Sequence, residues 1–371
     1  MKEHIEILTL SSEDGQALVA VSPAYQGRVM TSSAAGPDGL SFGWINRPEI
    51  ASGEVKPHMN AYGGEDRFWL GPEGGQYSIF FPKGAPFEFA HWQTPPPIDC
   101  EPFETVRADA ERCVFKRRFQ LENYSGYAFD LEVNRKVQLV RARKAMKELG
   151  AEWDNSLKAV GFRSVNTIVN KGDAAWEKET GLLSIWILSM FSPSPRTTIV
   201  VPFKPGPETE LGPVVNDAYF GSIAPDRLKI GDGILFFRAD GKSRGKIGLS
   251  HRRTKAIAGS YAADLQVLTL ASFSFDPEAA DYVNSLWEIQ DDPYGGDVFN
   301  SYNDGPVEPA GKPLGPFYEL ESSSPAAALA PGESMRHVHS VFHFQGPEKA
   351  LDALARKTLG AGLKDIAAAF E

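Results

Sequence analysis

The chain has 371 residues, with 48 acidic against 38 basic side chains and a formal net charge of −10. That balance disfavours non-specific binding to nucleic acid or to an anionic membrane, and no segment approaches the ~18 consecutive apolar residues of a spanning helix. Cys100 and Cys113 are too few for a disulfide framework at this size. The opening MKEHIEILTLSSEDG lacks a long apolar run and a small-residue cleavage site, so the expected compartment is the cytoplasm.

In chain order, the first informative stretch is Tyr62 to Tyr77, YGGEDRFWLGPEGGQY. It has no Lys-Ser/Thr pair at a helix start to cradle a phosphate, and Glu65, Asp66 and Glu73 repel a polyanion. Aromatic rings with carboxylate, guanidinium and amide groups on a glycine-bent backbone suit a neutral polyol. The competing reading is a buried turn in which Arg67 pairs with a neighbouring acid. Strand-like runs follow at 112–121, 128–140, 182–190, 197–203, 234–238, 266–275, 317–322 and 337–344. Turn clusters, among them Gly161, Gly172-Asp173 and 240–245, separate them as in antiparallel sheets. Helical pattern is confined to 140–149 and to 347–370, where two short helices divide at Gly360-Ala361-Gly362 and carry an apolar stripe of Leu351, Leu354 and Leu359. No linker or fixed-period repeat interrupts the chain, so residues 1–346 are expected to form one β domain and 347–371 a packed helical cap.

Gly39-Leu40-Ser41-Phe42-Gly43 matches the nucleophile-elbow pattern, but turn-like sequence surrounds it where a strand and a helix are required. His337, His339 and His343 alternate onto one strand face. Without a supporting acidic motif that face reads as a half-exposed outer surface rather than a metal site, and no metal or cofactor is expected. Glu319 and Glu321 share one strand face, about 7 Å apart along the backbone. On a dry face such proximity raises at least one pKa and makes either a candidate base; on a wet face they are a solvated pair. Nearby polar-aromatic segments offer further hydroxyl-binding groups: Asn300, Tyr302, Asn303 and Asp304 in DVFNSYNDG, Asn216 to Gly221, and His91-Trp92-Gln93.

The run LGPFYELESSSPAAALAPGES, from Leu314 to Ser334, resembles the C-terminal part of the galactose mutarotase-like (aldose epimerase-like) superfamily, in which a catalytic glutamate stands on a strand shortly before a turn. Glu319 matches that glutamate and Leu329-Ala330-Pro331-Gly332-Glu333 the turn; Arg67 matches a substrate-binding arginine. GGEDRFWLGPEGG, PVVNDAYFG and GPFYELESSSPA together resemble an uncharacterised bacterial family within it. The resemblance implies an all-β fold, a β-supersandwich of antiparallel sheets with short C-terminal helices and a sugar-sized cleft. One departure stands out: Asp217 occupies the position of the family's ring-oxygen-protonating histidine, so ordinary mutarotation is expected to be slow.

The expected function is carbohydrate binding. If the protein is catalytic, it is an epimerase with Glu319 as base and Asp217 or a histidine as acid. Arg67, Glu65, Trp69, Glu73, His91, Trp92, Asn216, Tyr219, Asn303 and Glu321 are the candidate substrate-binding residues. Two alternatives stay open: a non-catalytic carbohydrate-binding protein, and a glycoside-cleaving enzyme with a carboxylate pair, which needs a partner such as Asp217 or Glu65 across the cleft. The expected partner is a small carbohydrate, with neither nucleic acid nor membrane.

Overall fold

Side chains that alternate between apolar and polar give a strand one face to bury, and this chain satisfies that requirement by layering antiparallel sheets. The computed structural model describes residues 1–306 and 311–371. A three-stranded sheet comprises β1 (Leu8–Ser11), β2 (Leu18–Ser22) and β3 (Arg28–Ser33) in sequential order. A ten-stranded sheet runs β11 (Leu228–Ile230), β12 (Ile234–Arg238), β10 (Thr197–Pro202), β14 (Ile257–Ala262), β15 (Val267–Phe273), β18 (Ser334–Gln345), β8 (Lys158–Asn170), β7 (Ala128–Leu139), β6 (Arg112–Glu122) and β5 (Glu104–Ala108). The third sheet has five strands in the order β13 (Gly245–Ser250), β16 (Asp297–Asn303), β17 (Tyr318–Ser323), β9 (Ser184–Phe191) and β4 (Arg67–Gly71).

One apolar core joins the three. Phe115, Leu131, Val133, Phe162 and Val341 of the ten-stranded sheet cluster with Phe68, Ile185, Ile187, Val298 and Leu320 of the five-stranded sheet and with Val19, Val21 and Val29. The opposite face of the ten-stranded sheet is covered in part by two C-terminal helices, Glu348–Leu359 and Leu363–Ala367. Their Leu351, Leu354, Leu359 and Ile366 pack on Val200, Leu268, Leu270, Phe342 and Phe344. Gly360 ends the first helix at φ 77°, a left-handed geometry that glycine adopts without penalty. No helix among the described residues is long and apolar enough to cross a membrane.

Two local expectations are corrected. Gly161 is no turn; it lies inside β8, where a Cβ would overlap the Phe342 ring on the neighbouring strand. The glycine makes room for an aromatic, which is one of the roles of glycine within strands. His337, His339 and His343 do share a face, but it is the inner one, and all three are buried. The outer face of β18 carries Phe342 and Phe344 beneath the helices, so both faces are enclosed.

The imidazoles are therefore satisfied by hydroxyls and a carboxylate. Ser322 Oγ lies 2.8 Å from both His337 Nε2 and His339 Nδ1, Ser189 Oγ lies 3.2 Å from His339 Nε2, and Ser274 Oγ lies 3.0 Å from His337 Nδ1. Burial pushes the pKa of His337 down to about 3 and that of His339 to about 4, so both are neutral at ordinary pH. Among the described residues no cluster of metal-ligating groups occurs.

Candidate ligand-binding site

β17 divides its side chains by alternation. Tyr318, Leu320 and Ser322 face the ten-stranded sheet, where Tyr318 meets Ser260 and Ser322 meets the histidines. Glu319 and Glu321 therefore face the other way. Pairing sets Glu321 level with Leu188 and Asn300, and Glu319 level with Met190 and Tyr302. Arg67 stands opposite Leu188 on β4, and Lys246 stands opposite Tyr302 on β13.

Each cation then reaches across an intervening strand to the glutamate one rung away. Arg67 Nη2 lies 3.0 Å from Glu319 Oε1, and Lys246 Nζ lies 3.0 Å from Glu321 Oε2. The two contacts cross as diagonals over the sheet. Trp186 Nε1 donates to the same Glu321 oxygen at 2.9 Å. Aromatic faces hold the cations: Arg67 Cζ is 4.1 Å from the Trp69 ring centroid, and Lys246 Nζ is 4.7 Å from that of Trp186. The side chains of Arg67 and Glu319 are only 5% and 6% exposed, so each charge depends on the other for compensation. Burial, with repulsion from Glu321 and Asp304, outweighs the pull of Arg67 and Lys246 and raises the Glu319 pKa to about 7.

A second polar group adjoins the first. Tyr219 OH donates to Asp297 Oδ2 at 2.7 Å, Asn216 Nδ2 donates to the same oxygen at 3.0 Å, and Asn300 Nδ2 donates to Tyr219 OH at 3.2 Å. Gly248 permits this, because a Cβ there would overlap the Asp297 carboxylate and crowd the Asn300 amide at 2.8 Å. Burial pushes the Asp297 carboxyl and the Tyr219 phenol upward. Half-buried Glu73 is also pushed up by burial and interacts with Lys246, Glu321, Trp287 and Arg67. The small cavity beside Lys246, lined in part by Trp186, Tyr219, Asp297 and Asn300, holds ≈10 Å³, about the space of one water.

The structure thus brings together Arg67, Trp69, Glu73, Asn216, Tyr219, Glu319 and Glu321. Trp92 joins through aromatic contact, its centroid 6.4 Å from Trp69, 5.8 Å from Phe80 and 6.0 Å from Trp287. Four candidates lie elsewhere. Glu65 is buried within the sandwich, where its carboxylate accepts from Ser32 and faces His343 Nε2 at 2.9 Å. Asp217 serves its own loop, accepting the Ile223 N–H at 3.0 Å. His91 is exposed on a short turn. Asn303 holds the 241–243 turn, accepting from Gly241 N–H and donating to Ser243 O.

Sequence reasoning missed Lys246, Trp186, Trp287 and the acceptor role of Asp297. Lys246 had a signal, since it is the one charged residue in the strand GKIGLS. Among the described residues, Arg67 Nε, Trp69 Nε1, Trp92 Nε1 and Glu321 Oε1 are buried without a hydrogen-bond partner. Native proteins carry few such atoms, and four in one neighbourhood is a concentration.

A family model described as "Family of unknown function (DUF6786)" matches residues 1–370. The chain belongs to this family. No curated protein matches it in sequence. Among solved structures, it is similar to a putative aldose 1-epimerase from Escherichia coli K12, at 13% identity and TM-score 0.53 over 92% of this chain and 100% of that one. The Slr1438 protein from Synechocystis sp. PCC 6803 is similar at 13% identity and TM-score 0.53, over 92% and 96% of the two chains. A galactose mutarotase-like protein from Lactobacillus casei ATCC 334 matches at 9% identity and TM-score 0.51, over 91% and 100%. This DUF6786 member therefore has the all-β, galactose mutarotase-like fold.

Proposed function

We propose that the protein binds a carbohydrate over the outward face of the five-stranded sheet, around the crossed pairs Arg67–Glu319 and Lys246–Glu321. The observation that carries this reading is the set of unpartnered buried atoms around those pairs, three donors and one acceptor. Each unpaired buried polar atom costs about 1–3 kcal/mol. A sugar hydroxyl both donates and accepts, so one polyol relieves donors and acceptors together. The similar solved structures bearing epimerase and mutarotase names support the same reading. Because the cavity beside Lys246 is so small, entry of a sugar requires the Tyr219 loop to part from Asp297.

The test is calorimetry and tryptophan fluorescence with a broad monosaccharide panel on folded protein. Saturable heat with a fluorescence change, weakened at least about tenfold by Arg67→Met, is expected. Absence of any response across the panel ends the proposal.

A second reading, epimerase catalysis with Glu319 as base, is favoured by one observation: a carboxyl with pKa about 7 exchanges protons readily at neutral pH. In this reading Glu319 takes the proton of the anomeric hydroxyl as the C1–ring-oxygen bond breaks and an acid protonates the ring oxygen; reclosure on the other face of the carbonyl returns the protons and gives the other anomer. Asp217 is a weak candidate acid, since its carboxylate is engaged by the Ile223 amide. Polarimetry separates the readings: epimerisation abolished by Glu319→Gln supports catalysis, and sugar binding without epimerisation leaves a binding protein.

A further inference from the structure

The charges on the outward face do not balance. Glu73, Asp297, Glu319 and Glu321 interact there with Lys246, while Arg67 and Lys246 are the cations set among them. Both are committed, Arg67 to Glu319 over the Trp69 ring and Lys246 to Glu321 over the Trp186 ring. Arg244 does not redress the balance, because it lies over Phe220 at 3.7 Å and acts on Asp304, a further carboxylate. Asp297 is held by neutral groups, the Tyr219 hydroxyl and the Asn216 amide.

A second observation is independent of that count. Glu321 is 0% exposed, and its Oε1 has no donor among the described residues, although Oε2 takes two. A buried carboxylate oxygen without a donor is the feature a charged N–H group satisfies best. Resting on the proposed carbohydrate site, we propose that its ligand is an amino sugar, whose protonated amine is received between Glu321 and Asp297 while its hydroxyls meet the remaining polar groups. Neutral sugars leave the charge excess uncorrected, and uronates or sugar phosphates add to it.

The experiment is calorimetry at pH 7 with glucosamine, glucose, N-acetylglucosamine, glucuronate and 2-aminoethanol. Glucosamine is expected to bind at least about tenfold tighter than glucose or N-acetylglucosamine, with glucuronate weaker still and 2-aminoethanol, which lacks the ring, weaker than glucosamine. Asp297→Asn should lower the ratio of glucosamine to glucose affinity; Glu321→Gln is a second route to the same ratio, with folding of each variant checked by circular dichroism. Glucose or glucuronate binding as tightly as glucosamine overturns the inference and leaves the carbohydrate site standing. So does 2-aminoethanol binding as well as glucosamine, since the site would then read an amine alone. A panel in which nothing binds removes the site and the inference together.

Discussion

At the scale of single residues, Glu319 carries a pH dependence that stability measurements can read. Its carboxyl rises from an ordinary 4.5 to about 7 on folding. Between those values the native state holds a proton that the unfolded chain has released, so this group's contribution to stability falls as pH rises through the window. Wild type should lose on the order of 2 kcal/mol relative to Glu319→Gln between pH 5 and 7.5, read from urea denaturation at each pH. His337 and His339 act in the opposite sense, because their folded pKa values are depressed and the stability they allow is lost as pH falls below about 6.5. Comparison with the glutamine variant isolates the glutamate. A wild type that gains stability over that variant as pH rises would refute the assignment. In the sequence, Glu319 and Glu321 stand out as a pair on one strand face, the resemblance of 314–334 singles out Glu319, and Arg67 is marked by its aromatic, acidic surroundings. Lys246 shows only as the lone charge of its strand; its pairing with Glu321, 75 residues away, is not legible, because only sheet pairing brings the two together.

At the scale of elements, strands with strong β-branched or aromatic alternation were readable to within one to three residues at each end. Residues 234–238 coincide with β12, and the tail divides at Gly360 as its composition requires. Strands failed where a glycine or polar residue interrupts the pattern. β8, the longest strand, contains Gly161, and β16 consists of DVFNSYN, whose polar residues resemble loop chemistry. In both cases a neighbouring side chain supplies the reason: Phe342 fills the space above Gly161, and the polar residues of β16 bond Tyr219, Asp304, Gly241 and Ser243. Gly161→Ala is therefore expected to destabilise by about 1–3 kcal/mol through overpacking, and by less in a Phe342→Leu background. Equal costs in the two backgrounds, measured by denaturant unfolding, would show that the ring is not the cause.

At the scale of the whole molecule, the C-terminal helices cover part of the outer face of the ten-stranded sheet. Leu351 is fully buried there beside Phe342 and Phe344. Leu351→Ala should cost about 2–5 kcal/mol, and removal of residues 347–371 should expose enough apolar surface to bind a hydrophobic dye. A truncated chain with unchanged unfolding midpoint would make the tail an independent appendage.

The seam between the five-stranded and ten-stranded sheets has a further consequence. Apolar layers alone tolerate small slips between sheets, since contact energy changes little over a fraction of an ångström. Ser322 removes that freedom, because two imidazoles of β18 meet its hydroxyl directly behind the strand that displays Glu319 and Glu321. Directional bonds have one good alignment. The carboxylates are thereby pinned from the rear by buried groups, and the aim of the proposed site is set in the seam rather than in the loops that cover it.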